Sequence, residues 1–428
     1  MAFTWSPQQQ AFLDWCESGA GSAVVVAVAG AGKTTVAIEG IKRLRGQTAM
    51  MAFNKRIAEE IKVKLEKAGM DWKRAQGGTA HSFGFSAFRK SFGSPEIQQD
   101  KVRNIIEARA KALEQEHNNG ESFVTQFGNV IAKLVGYAKQ AALGVSGSID
   151  DRSAWLRLIE HYDVWCDADP NFNLPSNPDA TLVTYAIDIL GRSNNDTATI
   201  DFDDMIYLPL LLKAKFWQFD NVVVDEAQDT NAARRILARV MLKRGGRLIA
   251  IGDPAQAING FAGADNDALE LIKRDFACIE LPLTVSYRCP RQVVKFAQNW
   301  ATHIQPHDAA PEGSVTYANV EDIFNGKLTL GGSDAILCRN NKPLVSLAMK
   351  LIKNRIGARI EGRDIGVNLL KLAHRWSRVN DLDTLRDRLG VYLDEQKTRL
   401  LAKKQEARYA QLEDQVECLL VIIEQCIA

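Results

Sequence analysis

The stretch Ala23–Thr35 reads AVVVAVAGAGKTT, and its reading decides the fold. Ala23–Val28 is a short valine-rich run bounded by glycine. Such a run predicts a strand buried on both faces, the kind found in a parallel sheet. A glycine turn follows, and Thr34–Arg45 then carries a helical pattern. Strand, glycine turn and helix in this order make a cradle for phosphate. Glycine lets backbone N–H groups close round the oxygens, and the helix N-terminus adds its positive end. In such a cradle the backbone of Ala29, Gly30, Ala31, Gly32 and Thr35 lies along the phosphates. Lys33 reaches the β- and γ-phosphates, and the Thr34 hydroxyl ligates Mg2+. The strict pattern has Gly at position 27, where this chain has Ala27; Gly30, Gly32, Lys33 and Thr34 are kept.

Outward from this point, Thr48–Phe53 reads as a second strand and Lys55–Ala68 as a helix. Short apolar runs return at Asn221–Val224, Arg247–Ile251 and Ile279–Leu283. The stretch between them, from about Phe85 to Asp196, has helical periodicity (Val102, Ile105, Ile106 and Ala110). It also holds a loop, Asp169–Pro178, with three prolines. The expectation is one α/β sheet interrupted by a helical insertion. After Pro290 a new unit is expected, with strands at Ser314–Tyr317 and Ala335–Cys338 and a helix at Pro343–Lys353. From about Asp364 the chain reads as helical and charged. The stripe Leu412, Val416, Leu419, Leu420 and Ile423 reads as core packing.

Three further blocks carry chemistry. Asn221–Asn231, NVVVDEAQDTN, is an apolar strand ending in adjacent acids. Open α/β sheets bind ligands at that edge. There Asp225 suits Mg2+ held through water, and Glu226 suits acceptance of a proton from an attacking water. Ile251–Ala264, IGDPAQAINGFAGA, places Gln256 toward the γ-phosphate and a neighbouring domain. Leu281–Pro290, LPLTVSYRCP, offers the Tyr287 ring to a nucleobase and the Arg288 guanidinium to transition-state charge.

Composition sets the bounds. The chain has 428 residues, 46% hydrophobic and 25% charged, which excludes a disordered chain, a collagen-like chain and a small disulfide scaffold. Apolar stretches such as Ala23–Ala29 and Leu208–Leu212 are too short to cross a bilayer. MAFTWSPQQQ lacks a basic and apolar leader, so neither a secretory signal nor a membrane span is expected. A net charge of +1 says nothing of partners, but Ile41–Lys90 holds 12 Lys/Arg against 4 Asp/Glu. That surplus can draw in phosphates; on charge alone, a solvated helical face such as Arg56–Lys67 accounts for it as well. Seven scattered cysteines without a CxxC pair suit reduced, mostly buried thiols, and the six histidines are equally dispersed.

The blocks occur in a fixed order: SPQQQAF (Ser6–Phe12), AVAGAGKTT, MMAFNKRIAEE (Met50–Glu60), GTAHSF (Gly78–Phe83), DFDDM (Asp201–Met205), VVDEAQDTN, IGDPAQAINGFAGA, LTVSYR and ILCRNN (Ile336–Asn341). This set resembles the UvrD/Rep group of superfamily 1 helicases. FNKRIAEE and GTAHSF are similar to phage-type and F-box-helicase-like members. The resemblance implies a P-loop RecA-like parallel-sheet domain at 1–84 and 197–283, with a helical insertion subdomain at 85–196. A partial second RecA-like domain at 284–363 and the helical start of a second inserted subdomain at 364–428 would follow. It implies ATP and Mg2+, with Gln9 reading adenine. Lys33, Thr34, Asp225, Glu226, Gln256 and Arg288 stand at nucleotide and catalytic positions, Tyr287 stacks on the base, and Arg339 lies in the block that follows. It further implies that Phe53, Asn54, Thr79, His81, Ser82 and Phe261 contact single-stranded DNA, aromatic rings stacking on any base. Core packing is the alternative for Phe53 and Phe261, and a structural histidine the alternative for His81.

The chain departs from the family at Asn259, where Tyr is frequent, and at Ala262, where Arg is frequent. Blocks of the types TxHxxKGLE and YVAxTRA do not occur after Asn341. The expectation is therefore a fragment of an ATP-dependent, 3′–5′ DNA translocase and helicase with impaired unwinding. Its substrate would be single-stranded or partly duplex DNA. It would be an intracellular monomer, cytoplasmic, nucleoid-associated or in a host cytoplasm. The competing reading is an ATP-binding, DNA-binding or docking module without productive turnover. A different P-loop enzyme, such as a kinase, leaves the YR and DEAQDTN blocks unexplained together.

Overall fold

The computed structural model describes residues 4–117, 123–167, 176–257, 267–338, 341–360, 369–370, 372–376, 379, 381–402, 412–413, 415–417, 419–420 and 422–424. Asn259, Phe261, Ala262 and Arg339, and most of the Asp169–Pro178 loop, lie outside these residues.

The first compact unit ends at Val315. It opens with α1 (Pro7–Ser18), β1 (Ala23–Ala27), α2 (Lys33–Arg43), β2 (Thr48–Ala52), α3 (Lys55–Lys67), β3 (Ala75–Thr79) and α4 (Ala80–Phe92). The insertion follows as β4 (Glu96–Ile97), α5 (Lys101–His117), α6 (Phe123–Gln140), α7 (Arg152–Tyr162), α8 (Pro178–Asn195) and β5 (Thr199–Ile200). The chain returns through α9 (Asp204–Leu211), β6 (Phe219–Asp225), α10 (Ala232–Val240), β7 (Leu242–Gly252), α11 (Ala268–Asp275) and β8 (Ile279–Leu283). It then runs through β9 (Val285–Ser286), α12 (Arg291–Ala297) and β10 (Gln305–Pro306).

Six strands form one parallel sheet in the order β3-β2-β6-β7-β1-β8. The expected α/β fold with a RecA-like P-loop sheet is present. Strand residues alternate between two cores, as the pleat requires. Val25, Met50, Val223, Ile249 and Ile251 face the side covered by α1, α2 and α3. Val24, Met51, Val222, Val224, Leu248 and Ala250 face the side that holds Ile206, Leu210 and Leu237. β3, sequence AQGGT, was not expected as a strand; two glycines and a glutamine leave Thr79 as its one β-branched residue, and pairing with β2 holds it at the sheet edge.

The insertion has its own core, built on Val124, Ile131, Leu134, Trp155, Leu182 and Ile189. Its entry and exit strands, β4 and β5, pair in parallel. Beneath them lies a buried ionic network. The Lys139 ammonium is 2.6 Å from Asp201 Oδ2 and 2.7 Å from Asp204 Oδ1. The Lys101 ammonium is 2.8 Å from Asp204 Oδ2 and donates to the Ser193 and Asp196 carbonyls. Burial pulls the Lys139 pKa down, but the Asp204 and Asp201 carboxylates overcome it and raise the value above the ordinary lysine range. The DFDDM block is thus the joint between insertion and sheet. Gly84 of α4 lets α9 approach, since a Cβ there would meet the Met205 carbonyl at 2.2 Å.

Residues 284–315, expected to open the second sheet domain, pack with the first unit. Val294 and Ile304 complete the core beside Leu283. The second unit, Thr316–Ala428, holds α13 (Glu321–Phe324), α14 (Asn341–Lys353) and α15 (Leu382–Ala402). The strands expected at Ser314–Tyr317 and Ala335–Cys338 are corrected here. Neither segment pairs with another strand among the described residues, and Tyr317 and Leu337 are 89% and 91% exposed. A short apolar segment cannot hold as a strand when its backbone groups have no ladder to join. The Leu412–Ile423 stripe is core, as expected. Val416, Leu419 and Ile423 are buried with Met349, Leu372, Leu385 and Leu389.

Candidate functional site

Apart from Gln9 on α1, the candidate residues in the described part of the sheet domain lie at or just after strand C-termini, and sheet order sorts them. β1, β7 and β6 are neighbours, and their ends carry the phosphate cradle, Gln256 and the acids. β2 and β3 lie to one side, and their ends carry Phe53, Asn54, Thr79, His81 and Ser82.

The cradle is built by two left-handed glycines, Gly30 (φ 77°) and Gly32 (φ 75°). Gly32 is the N-cap of α2, so Lys33 starts the helix and Thr34 and Thr35 lie in its first turn. At Gly30 a Cβ would sit 2.6 Å from Arg288 Cβ and 2.7 Å from Ser286 Oγ. Only glycine fits both that φ and that approach. The Tyr287 N–H donates to the Gly30 carbonyl at 2.9 Å, which draws the YR block against the cradle. The Tyr287 ring, itself 43% exposed, tilts against His307 with centroids 4.8 Å apart, and Arg288 is exposed. The backbone N–H of Ala31 donates to Val28, and its carbonyl accepts from Gln9 Nε2 at 3.2 Å. Gln9 also closes a capping box with Ser6, so both ends of its buried amide are engaged.

Lys33 Nζ lies 2.8 Å from Glu226 Oε2, though 193 residues separate them in the chain. Gln228 Nε2 also donates to Glu226 Oε2 at 2.9 Å. Gln228 Oε1 accepts from the Asp253 N–H at 3.0 Å, and Gln256 Nε2 donates to Asp253 Oδ2 at 2.6 Å. Lys33, Glu226, Gln228, Asp253 and Gln256 therefore form one polar chain across three strand ends. Burial pushes the Asp225 carboxyl up to about 6, and the adjacent Glu226 charge adds to this against the pull of Lys33. A divalent cation held beside Asp225 would favour its charged form. No cluster of three His, Cys, Asp or Glu side chains suited to a metal occurs among the described residues. A cation would draw on hydroxyl and phosphate oxygens instead, as Mg2+ does.

At the other strand ends, Asn54 caps α3 by accepting from the Ile57 N–H, and Thr79 caps α4 by accepting from the Ser82 N–H. Ser82 Oγ donates to the Thr79 carbonyl. Phe53 is half-buried and belongs to none of the apolar clusters of the described residues, so its reading as a core ring does not hold. The Arg234 guanidinium lies 5.1 Å from its ring centroid. Arg234 Nη1 also donates to the Asp229 carbonyl at 3.1 Å, tying Phe53 to the loop after the acids. Sequence reasoning missed Arg234 and Gln228. Nothing in residue type separates Arg234 from neighbouring surface arginines of α10, and Gln228 lay inside a recognised block without a role.

His81 is half-buried, and burial followed by the Arg234 charge lowers its pKa to about 4. A histidine with a depressed folded pKa binds its proton more readily when unfolded, so its contribution to stability is lost as pH falls from 6.5 toward 4. Relative to His81→Gln, the native chain should lose about 3 kcal/mol over that interval. Urea denaturation of both chains across the range checks this, and parallel pH profiles would refute it.

The sequence profile of the UvrD/REP helicase N-terminal domain matches residues 5–277, which contain the cradle, the acids and both sets of strand ends. The chain belongs to the UvrD/REP helicase family. It is 25% identical to the ATP-dependent DNA helicase Rep of Salmonella typhimurium over 65% of this chain and 40% of that protein. The figures for Escherichia coli Rep are 25%, 68% and 42%. The ATP-dependent DNA helicase PcrA of Leuconostoc citreum is 29% identical over 24% of this chain and 15% of its own. The chain thus spans about two-fifths of the length of the Rep relatives. Among the described residues no helix is long and apolar enough to cross a membrane.

Proposed function

We propose that this UvrD/REP family chain binds ATP with Mg2+ at the cradle and hydrolyses it in response to single-stranded DNA held at the β2 and β3 ends. The larger activity would be ATP-driven 3′–5′ translocation and strand separation. The observation that carries the reading is the 2.8 Å approach of Lys33 to Glu226 at the edge where β1 and β6 end.

Lys33 is positioned to take the β- and γ-phosphates, and a phosphate that engages Lys33 releases the Glu226 carboxylate. Glu226 then accepts the proton of a water attacking the γ-phosphorus, so the P–O bond to ADP breaks as the new one forms. Thr34 and Asp225 would hold Mg2+, which neutralises phosphate charge. Gln9 fixes the cradle from α1 and would read adenine by exchanging one of its present amide partners, while the backbone of Tyr287 and Arg288 lies against the same turn. Gln256 receives the polar chain from Glu226.

For DNA, the capped N-termini of α3 and α4 favour phosphates, and Phe53 supplies a ring for a base. Phe53→Ala should weaken oligothymidylate binding roughly tenfold while leaving nucleotide affinity unchanged. Anisotropy titrations with each ligand check this. The reading as a whole is tested by phosphate release with and without single-stranded DNA; no stimulation would count against it. A second reading, an ATP-binding, DNA-binding or docking module without productive turnover, is favoured by one observation. The described residues of 316–428 contain no strand. Nucleotide and DNA binding without DNA-stimulated phosphate release would be its signature.

A further inference from the structure

The basic surplus of Ile41–Lys90 is only partly accounted for by the cradle and the strand ends. Lys73 and Lys90, joined by Lys215, surround two tryptophans that the fold leaves in solvent. Trp72 is 62% exposed and Trp217 51%. Lys73 Nζ stands 5.8 Å from the Trp72 ring centroid and Lys90 Nζ 5.6 Å from that of Trp217. A cleft of about 130 Å3 lies here, lined by both indoles with Phe83, Ser86, Lys90 and Lys215. None of the three lysines has a carboxylate within 4.0 Å among the described residues.

This cleft lies at the start of β3 and β6, the opposite end from the Phe53–Ser82 track. Helix α4 joins the two. Ser82 in its first turn, Ser86 and Lys90 are exposed and four residues apart, so they form one stripe. Eight residues at about 1.5 Å each span about 12 Å, the length of roughly three to four nucleotides at about 3.4 Å.

We propose that Trp72 and Trp217, with Lys73, Lys90 and Lys215, form a second single-stranded nucleic-acid site that continues the Phe53–Ser82 track along α4. It rests on the DNA reading of that track. Bases would stack on the indoles and phosphates would take the ammoniums, a combination blind to sequence. An acidic peptide would also meet the lysines. Continuity with the track, and two flat rings each with a cation beside it, favour nucleotides.

The test is anisotropy of labelled oligothymidylates of about eight and about twenty nucleotides on the whole chain. The longer strand should bind more tightly. The Trp72→Ala/Trp217→Ala pair should lower its affinity at least about tenfold, with the shorter strand and DNA-independent ATP hydrolysis unchanged. Lys90→Glu/Lys215→Glu, which keeps both rings, should do the same and flatten the salt dependence. Unaltered affinity for the longer strand in folded variants overturns the proposal. Equal binding of both strands by the native chain overturns it and leaves the track standing; binding of neither overturns both. Capture of a phenylalanine-containing oligo-aspartate peptide that the variants lose, while keeping the long strand, assigns the surface to protein and overturns it too.

Discussion

Lys33→Ala is expected to lower ATP turnover by at least about 10²–10³-fold, the effect of removing one preorganised donor at developing phosphate charge. The geometry leaves little room for compensation. Lys33 is set by a left-handed Gly32 at the first position of α2, and its side chain is only 11% exposed. The loss also weakens the opposition to the upward push on Asp225, since Lys33 is the stronger of the two cations, ahead of Lys64, that counter it. Nucleotide affinity should fall together with turnover, whereas Glu226→Gln should keep binding and lose hydrolysis. Phosphate-release kinetics and fluorescent-nucleotide titration separate the two. Turnover that persists in Lys33→Ala would falsify the site.

Asp204→Ala should be the most damaging change to the fold, at about 3–5 kcal/mol, the cost of breaking a buried ion pair from one side. Asp204 is fully buried and is approached by two ammoniums, each 2% exposed or less. Without it, Lys139 keeps Asp201, and Lys101 keeps two carbonyls, but the charge balance of the joint is gone. In a unit of this size the melting temperature should fall by roughly 10 °C. Thermal unfolding followed by circular dichroism reads this directly, and a drop within about 1 °C would show the network to be dispensable.

The sequence made the nucleotide half of the site legible because each element announces itself. Valine runs mark the inner strands, glycines mark the turn, and acids directly after an apolar run mark the sheet edge. The proposed DNA half was legible only through resemblance. Asn54, Thr79 and Ser82 are ordinary capping residues by type, and what separates them is the place of β2 and β3 in the sheet. Strand order is set by pairing across the whole chain, so no local pattern reveals it. β3 escaped because AQGGT is mostly glycine, alanine and glutamine, and Ser314–Tyr317 misled because strand-forming residues do not guarantee a partner. Arg234, Gln228 and the Lys101–Lys139 joint depend on contacts over distances in sequence that a residue pattern cannot carry.

Sheet order has a consequence for how the protein is made. Among the described residues β1 pairs only with β7 and β8, and the inner side of β2 only with β6. A ribosome that has just released AVVVA must add about two hundred further residues before either neighbour of that strand exists, roughly ten to forty seconds at ordinary elongation rates. During that interval the nascent chain displays two apolar segments with unpaired edges, while the insertion, with a core of its own, emerges between them. The newborn polypeptide is therefore a natural client for chaperones until β7 arrives.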